Sequence, residues 1–309
     1  MEPLSGVTVL DLTRLLPGPF CSWLLRSWGA RVIKVEDLAV GDYLREMEPL
    51  WFQHLNAGAE SVAMDLKHPE GRSLFLRILP HVDMVLEGFR PGVMERLRLT
   101  HAIMAERNPR IVLVSLAGYP PDGPRAERAG HDLNYLAHSG LLSLMEGAPA
   151  FQLGDLTGGL MGAAGGLAAL YAARATGRGS HVQLSLVDSL KALGSLQAVQ
   201  ALAGAGRPRE EMPLGGALPC YRLYRTADGG QVTLAALEPK FWARFCIAVD
   251  RPDWLARQTD PALKEELAAL FASRPLREWA ELAERHPEAC LDPVLPISQA
   301  VADRSELQP

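Results

Sequence analysis

The sequence predicts an α/β fold in two parts: a parallel sheet with helices on both faces, then a smaller α+β domain. Three observations point there. Short β-branched runs alternate with helical stretches over the first third of the chain. A Pro/Gly-rich segment, "AGRPREEMPLGGALP", closes the larger part. A different pattern follows it, two strands around an Ala-Asp-Gly-Gly turn and then helices.

The elements follow in order. "VTVLDL" is a strand, "LLPGPF" a turn, and "CSWLLRSWGA" a helix stopped by Gly29. "RVIKVED" is the next strand. "DLKHPEGRSLFLRILPH" enters a helix, with Pro69 in its first turn, where a missing N–H costs nothing. "VDMVLEGF" is a strand, "RPGVMERLRL" and "HAIMAERN" are helices, and "RIVLVSLAGY" is a strand. Two apolar helices follow, in "GHDLNYLAHSGLLSL" and in "GDLTGGLMGAAGGLAALYAA", then a strand and one long helix across "GRGSHVQLSLVDSLKALGSLQAVQALAG". The second part contains the hairpin "CYRLYRTADGGQVTLAALEP" and three helices, "KFWARFCIAV", "DPALKEELAALFAS" and "PLREWAELAERH". The expected boundaries are 1–190 for the large domain, 191–215 for a helix and linker, and 216–309 for the small domain.

At 309 residues, 48% apolar and 22% charged, the chain can bury a substantial core. A net charge of -5 gives no overall attraction to nucleic acid or acidic lipid, so an anionic ligand must find a local basic patch. The longest apolar stretch, Leu160 to Ala173, is short for a membrane span and broken by glycines. The start has no basic region followed by an apolar one, which makes a cytoplasmic location the expectation. The 4 cysteines, Cys21, Cys220, Cys246 and Cys290, are widely spaced with no CxxC, so neither a disulfide framework nor a metal site is expected. The turn after the first strand, "DLTRLLPGPF", is not GxGxxG, which argues against a nicotinamide or flavin enzyme.

Three acidic or basic positions stand out. Asp155 precedes a Gly/Ala-rich helix; it reads as an N-cap, or as a base beside N–H groups that stabilise developing negative charge. Gly158, Gly159, Gly162, Gly165 and Gly166 would let a ligand or another backbone approach that helix. His131, next to Asp132 in a Gly-bounded loop, suits proton transfer near neutrality, and capping at Asp132 is the competing reading. Glu238 ends an apolar strand before Pro239, a position open to an active-site acid or to a solvated corner. Arg14, Lys34, Lys67 and Arg90 fall near strand ends or helix starts, where phosphates bind.

The segments "PLSGVTVLDLTRLLPGPFCSWLLRSWGARVIKVE", "DLKHPEGRSLF", "VDMVLEGFRPGVMERL", "GHDLNYLAHSGLLS", "GDLTGG" and "ALEPKFW" resemble the class III CoA-transferase (CaiB/BaiF) family, and within it the α-methylacyl-CoA racemases. The resemblance runs in order through nearly the whole chain. It implies a Rossmann-like large domain with a small domain, interlocked homodimers, and an acyl-CoA substrate with no separate cofactor. CoA would lie along Arg14, Leu16, Pro17, Lys34, Lys67 and Arg90. Asp155 and His131 would be the two proton carriers, one on each face of the substrate, with Glu238 and Asp132 orienting His131. The first-turn N–H groups of the Asp155 helix would hold the enolate oxygen, and the glycines would line a pocket for a branched acyl chain. In the transferase branch the same aspartate is a covalent nucleophile; a CoA transferase is the first alternative and a non-catalytic acyl-CoA-binding protein the second. Family members continue past the small domain with a tail that returns to the large one, whereas this chain stops at "VADRSELQP".

Overall fold

A computed structural model describes residues 2–301. They form two compact units that divide between Ala198 and Val199. Residues 302–309 of the expected small domain lie outside the described residues.

The first unit is built on β1 (Thr8–Asp11), α1 (Pro17–Ser27), β2 (Arg31–Glu36), α2 (Leu44–Met47), α3 (Pro49–Asn56) and β3 (Glu60–Ala63). It continues with α4 (Pro69–Ile78), β4 (Met84–Glu87), α5 (Val93–Leu97), α6 (His101–Ala105) and β5 (Val112–Ala117). It closes with α7 (Asp132–Ser139), α8 (Leu153–Thr176), β6 (His181–Ser185) and α9 (Leu186–Leu193), and α10 (Ser195–Leu202) crosses the division. The strands make one six-stranded sheet in the order β3-β2-β1-β4-β5-β6, parallel throughout. This is the expected α/β architecture, with one strand more than the sequence pattern shows. The β3 strand pairs only with β2, at the sheet edge, and three of its four residues are exposed. An edge strand without an apolar run leaves no periodic signal.

Strand alternation sorts the core into two layers. Val9, Met84, Leu86, Val112 and Val114 face α1 and α8. Leu10, Val85 and Leu113 face the other way and pack with Phe75, Leu79, Met94 and Met104 of the opposite helical layer. The helix α8 runs 24 residues, well beyond the apolar stretch read from the sequence, and ends at Gly177. By length and composition it could cross a membrane. Here it packs on α1, α9, β5 and β6. The expected long helix after β6 is broken at Gly194 into α9 and α10.

The second unit contains β7 (Tyr221–Arg225), β8 (Gln231–Ala235), α11 (Pro239–Ala248), α12 (Leu263–Phe271), α13 (Leu276–Arg285), β9 (Leu291–Pro293) and α14 (Ile297–Ala300). The hairpin and three helices match the reading; β9, three residues in "LDPVLP", joins β8 as a third antiparallel strand. Its core is aromatic. Trp242, Trp254 and Trp279 are fully buried, and the indole N–H of Trp242 and of Trp279 each find a carbonyl at 3.0 Å.

The glycines of α8 set how closely its neighbours approach. A Cβ on Gly159 would sit 2.5 Å from the Pro17 carbonyl oxygen, and on Gly158 2.0 Å from Leu186 Cδ2. Gly162 lies against Leu116, Gly165 against Val182 and Gly166 against Met84. These positions are filled by protein, so the expected glycine-lined acyl pocket is corrected: the glycines serve close packing. Gly159→Ala should destabilise the fold by about 1–3 kcal/mol, because backbone must move. Gly147, with open space at its Cβ position, is the control. Thermal unfolding should show a lower midpoint for Gly159→Ala and none of that loss for Gly147→Ala.

Candidate functional site

The strand order reverses between β1 and β4, and in such sheets a crevice opens beyond the carboxyl ends at that point. A cleft of about 930 Å³ lies there. Arg14, Leu15, Tyr43, Lys67, Arg90 and Arg96 are among its lining residues. Arg14 bonds to the Asp37 carboxylate and lies 5.5 Å from the Tyr43 ring centroid. An adjoining hollow of about 390 Å³ adds Arg72 beside Lys67 and Arg96. Arg72, Arg96 and Tyr43 were missed in the sequence. Arg96 follows the same strand end as Arg90, within α5, and that placement was the available signal.

Three other residues expected to bind CoA are placed differently. Leu16 and Pro17 form the N-cap and first residue of α1, and the Pro17 carbonyl abuts Gly159 instead of lining the cleft. Lys34 is 1% exposed. Its Nζ lies 2.9 Å from Asp42 Oδ2 and 3.8 Å from Asp11 Oδ2, and it donates to the Thr13 carbonyl at 3.1 Å. Lys34 is therefore corrected from a phosphate ligand to a buried structural cation. Asp11 also accepts from Ser22 Oγ at 2.7 Å and from the Thr13 N–H at 2.8 Å. Asp42 accepts from the N–H of Leu15 at 3.0 Å, which holds the cleft-lining Leu15 at φ 64. Removing the cation leaves two buried carboxylates facing each other. Lys34→Met should lose about 3–5 kcal/mol in chemical denaturation, while Lys67→Met should stay within about 0.5 kcal/mol.

Asp155 stands on the first turn of α8, on the carboxyl-end side of the sheet, one turn before Gly159 meets the Pro17 carbonyl. It is the third residue of α8, not the N-cap; Gln152 takes that place. The Asp155 N–H donates to Asp132 Oδ1 at 2.9 Å. Leu153 N–H bonds the Phe151 carbonyl and Leu156 N–H the Gln152 carbonyl, both at 3.0 Å. Among the described residues this leaves the Gly154 N–H as the first-turn amide without an acceptor, which reduces the expected set of oxyanion donors to one.

His131 is the N-cap of α7 and Asp132 its first residue. The His131 N–H donates to Asn134 Oδ1 at 3.1 Å, and the Tyr135 hydroxyl donates to the Gly130 carbonyl. The Gly-His-Asp loop is thus held from inside its own helix. The His131 ring is exposed, while Asp132 is half-buried and turned to α8. The expectation that Asp132 orients His131 is corrected: its bond goes to Asp155. Glu238 belongs to the second unit, where it is the exposed N-cap of α11 and makes no side-chain cap bond.

The Asp155 carboxyl is half-buried and makes no hydrogen bond among the described residues. Burial, and then the neighbouring Asp132 charge, push its pKa up to about 7. The partial positive charge at the helix start acts the other way and is outweighed. A carboxyl poised there can both take and give a proton near neutrality. The sequence missed a second polar hollow, of about 260 Å³, where Ser115 Oγ meets His181 Nε2 at 2.7 Å beside the buried Glu87.

The fold and these sites define a doubly wound α/β protein with a basic crevice at its switch point and a half-buried carboxyl of raised pKa at a helix start. Residues 4–308 match the model of CoA-transferase family III, and the chain belongs to that family. It is 34% identical over 311 residues to the alpha-methylacyl-CoA racemase of Homo sapiens, covering 96% of this chain and 79% of that protein. It is 34% identical over 275 residues to the succinyl-CoA–D-citramalate CoA-transferase of Chloroflexus aurantiacus, covering 84% of this chain and 67% of that one. The crystal structure of a CaiB/BaiF family protein from Brucella suis superposes with a TM-score of 0.83 at 26% identity, over 98% of this chain and 86% of that one.

The raised Asp155 pKa has a stability consequence. A carboxyl whose folded pKa exceeds its unfolded value favours the fold while protonated; that contribution is complete below about 3.8 and is lost as pH rises through about 7. Asp155→Asn should therefore match the parent protein near pH 4. At pH 8 it should be more stable by about 2–4 kcal/mol in urea unfolding.

Proposed function

We propose that the chain interconverts the enantiomers of a 2-methylacyl-CoA through an enolate. The observation that carries this reading is the half-buried Asp155 carboxyl with its proton affinity near neutrality, joined through Asp132 to the Gly-His-Asp loop. The basic lining of the cleft at Arg14, Lys67, Arg90 and Arg96 supports a ligand that carries phosphates. The similarity to a racemase of the same family supports the reaction.

The chemistry follows from the weak acidity of a thioester α-C–H. Asp155 as carboxylate takes the α-proton, and the bonding pair moves into the enolate, whose charge gathers on the thioester oxygen. The Gly154 N–H is the donor assigned to that oxygen. The imidazolium of His131 returns a proton to the opposite face. For the other enantiomer the two roles exchange. No electrons are gained or lost, so no redox cofactor enters. The homodimer and cytoplasmic location belong to the same proposal.

The test is incubation of one 2-methylacyl-CoA enantiomer in D₂O without an acceptor acid. Expected are α-deuterium uptake and loss of optical purity, slowed about 10²–10⁴-fold by His131→Ala and by Asp155→Ala. No uptake together with CoA transfer to an added carboxylic acid, lost in Asp155→Ala, would replace this reading with the transferase one. That alternative has its own support in an Asp155 carboxyl that makes no hydrogen bond among the described residues and in the 34% identical transferase.

A further inference from the structure

We propose that Asp132 is the positioning residue for Asp155: its carboxylate fixes the first turn of α8 and so fixes where the Asp155 side chain stands relative to the Gly-His-Asp loop. This rests on the racemase reading for its role in catalysis, and on geometry for the contact itself. Asp132 Oδ1 accepts the Asp155 N–H at 2.9 Å across 23 residues of chain. A Cβ on Gly154 would come 3.0 Å from the same oxygen, so the carboxylate lies directly on the turn. A side chain in place of Gly154 would crowd that oxygen and Leu190.

The other end of the link is equally constrained. Asp132 is the first residue of α7, His131 is its N-cap, and Asn134 and Tyr135 bond the backbone of the loop at His131 and Gly130. One carboxylate therefore joins the loop that carries one proton carrier to the turn that carries the other. Its charge has a second effect, since two carboxylates this close disfavour ionising both.

The surrounding ionisable groups leave Asp132 as the one that acts on the Asp155 charge. Tyr135 of α7 is coupled to Asp155, with its hydroxyl pushed up to about 12, chiefly by burial. Arg90 acts on Tyr135 in the opposite sense. From the elements packed on α8, Cys21 of α1 is buried and its thiol pKa is raised, Asp188 and Lys191 of α9 pair with each other at 3.4 Å, and His181 of β6 bonds Ser115.

The contact is tested on the free full-length protein by ¹³C carboxyl NMR titration of Asp155 in the parent, in Asp132→Asn and in Asp132→Ala. Asparagine keeps an acceptor for the amide and removes the charge; alanine removes both. The Asp155 midpoint should fall in both variants, by about one unit or more in Asp132→Asn. In the D₂O assay, Asp132→Ala should lose at least tenfold more kcat than Asp132→Asn, with KM moving less than kcat. An unchanged Asp155 midpoint in Asp132→Asn overturns the proposal, as does equal loss of kcat in the two variants. If the alanine variant fails to fold, Asp132→Ser, which removes the charge and shortens the side chain, takes its place in the kcat comparison. A shifted midpoint in a protein that never exchanges α-protons keeps the action of Asp132 on the Asp155 charge and sinks the racemase reading.

Discussion

The close approach of α8 to its neighbours is the constraint on which the rest of the first unit depends. A 24-residue apolar helix can lie this near a helix and a sheet only if the facing positions carry no side chain. Gly159 admits the Pro17 carbonyl, and Gly158, Gly162 and Gly166 admit Leu186, Leu116 and Met84. The helix is then clamped along its length between α1, α9 and two strands. Its first turn inherits that rigidity. Asp155 stands on the first turn, so the packing of the next turn helps determine where the carboxyl sits.

A second constraint works at the mouth of the cleft. Lys34 is buried between β1 and β2 with Asp11 and Asp42, each carboxylate also receiving neutral donors. Burying three charges is costly unless every one is partnered. The partners include the Thr13 and Leu15 backbone groups of the turn after β1, so satisfying the charges also shapes the turn. Leu15 is held in the left-handed region by its N–H bond to Asp42. Arg14 is thereby set at the cleft with its guanidinium between Asp37 and Tyr43.

Asp132 and Asp155 show how a fold raises a proton affinity without losing order. The backbone N–H of Asp155 satisfies the Asp132 carboxylate, while the Asp155 carboxyl receives no donor of its own among the described residues. Burial, and then the Asp132 charge, drives the Asp155 carboxyl toward its neutral form. The asymmetry arises from which atom each oxygen meets, since the two residues are chemically the same.

Much of this protein was legible in the amino-acid sequence. The alternation of β-branched runs with helical stretches determined the parallel sheet, whereas β1, β4 and β5 are buried on both faces, and the structure shows which of their residues meet each layer. The pairing of "GHD" with "GDLTGG" singled out His131 and Asp155, because charged groups at the openings of apolar helices are conspicuous. The tertiary structure decided what periodicity does not encode. It placed β3 at an edge, where one neighbour and exposed faces leave no pattern. It assigned Lys34 to a buried ion cluster and Arg96 to the cleft, although both are basic residues near strand ends. It filled the α8 glycines with protein, and it turned Asp132 to Asp155. Residue type and spacing determine what a side chain can do; which partner it meets is decided by the atoms that folding brings within hydrogen-bond distance.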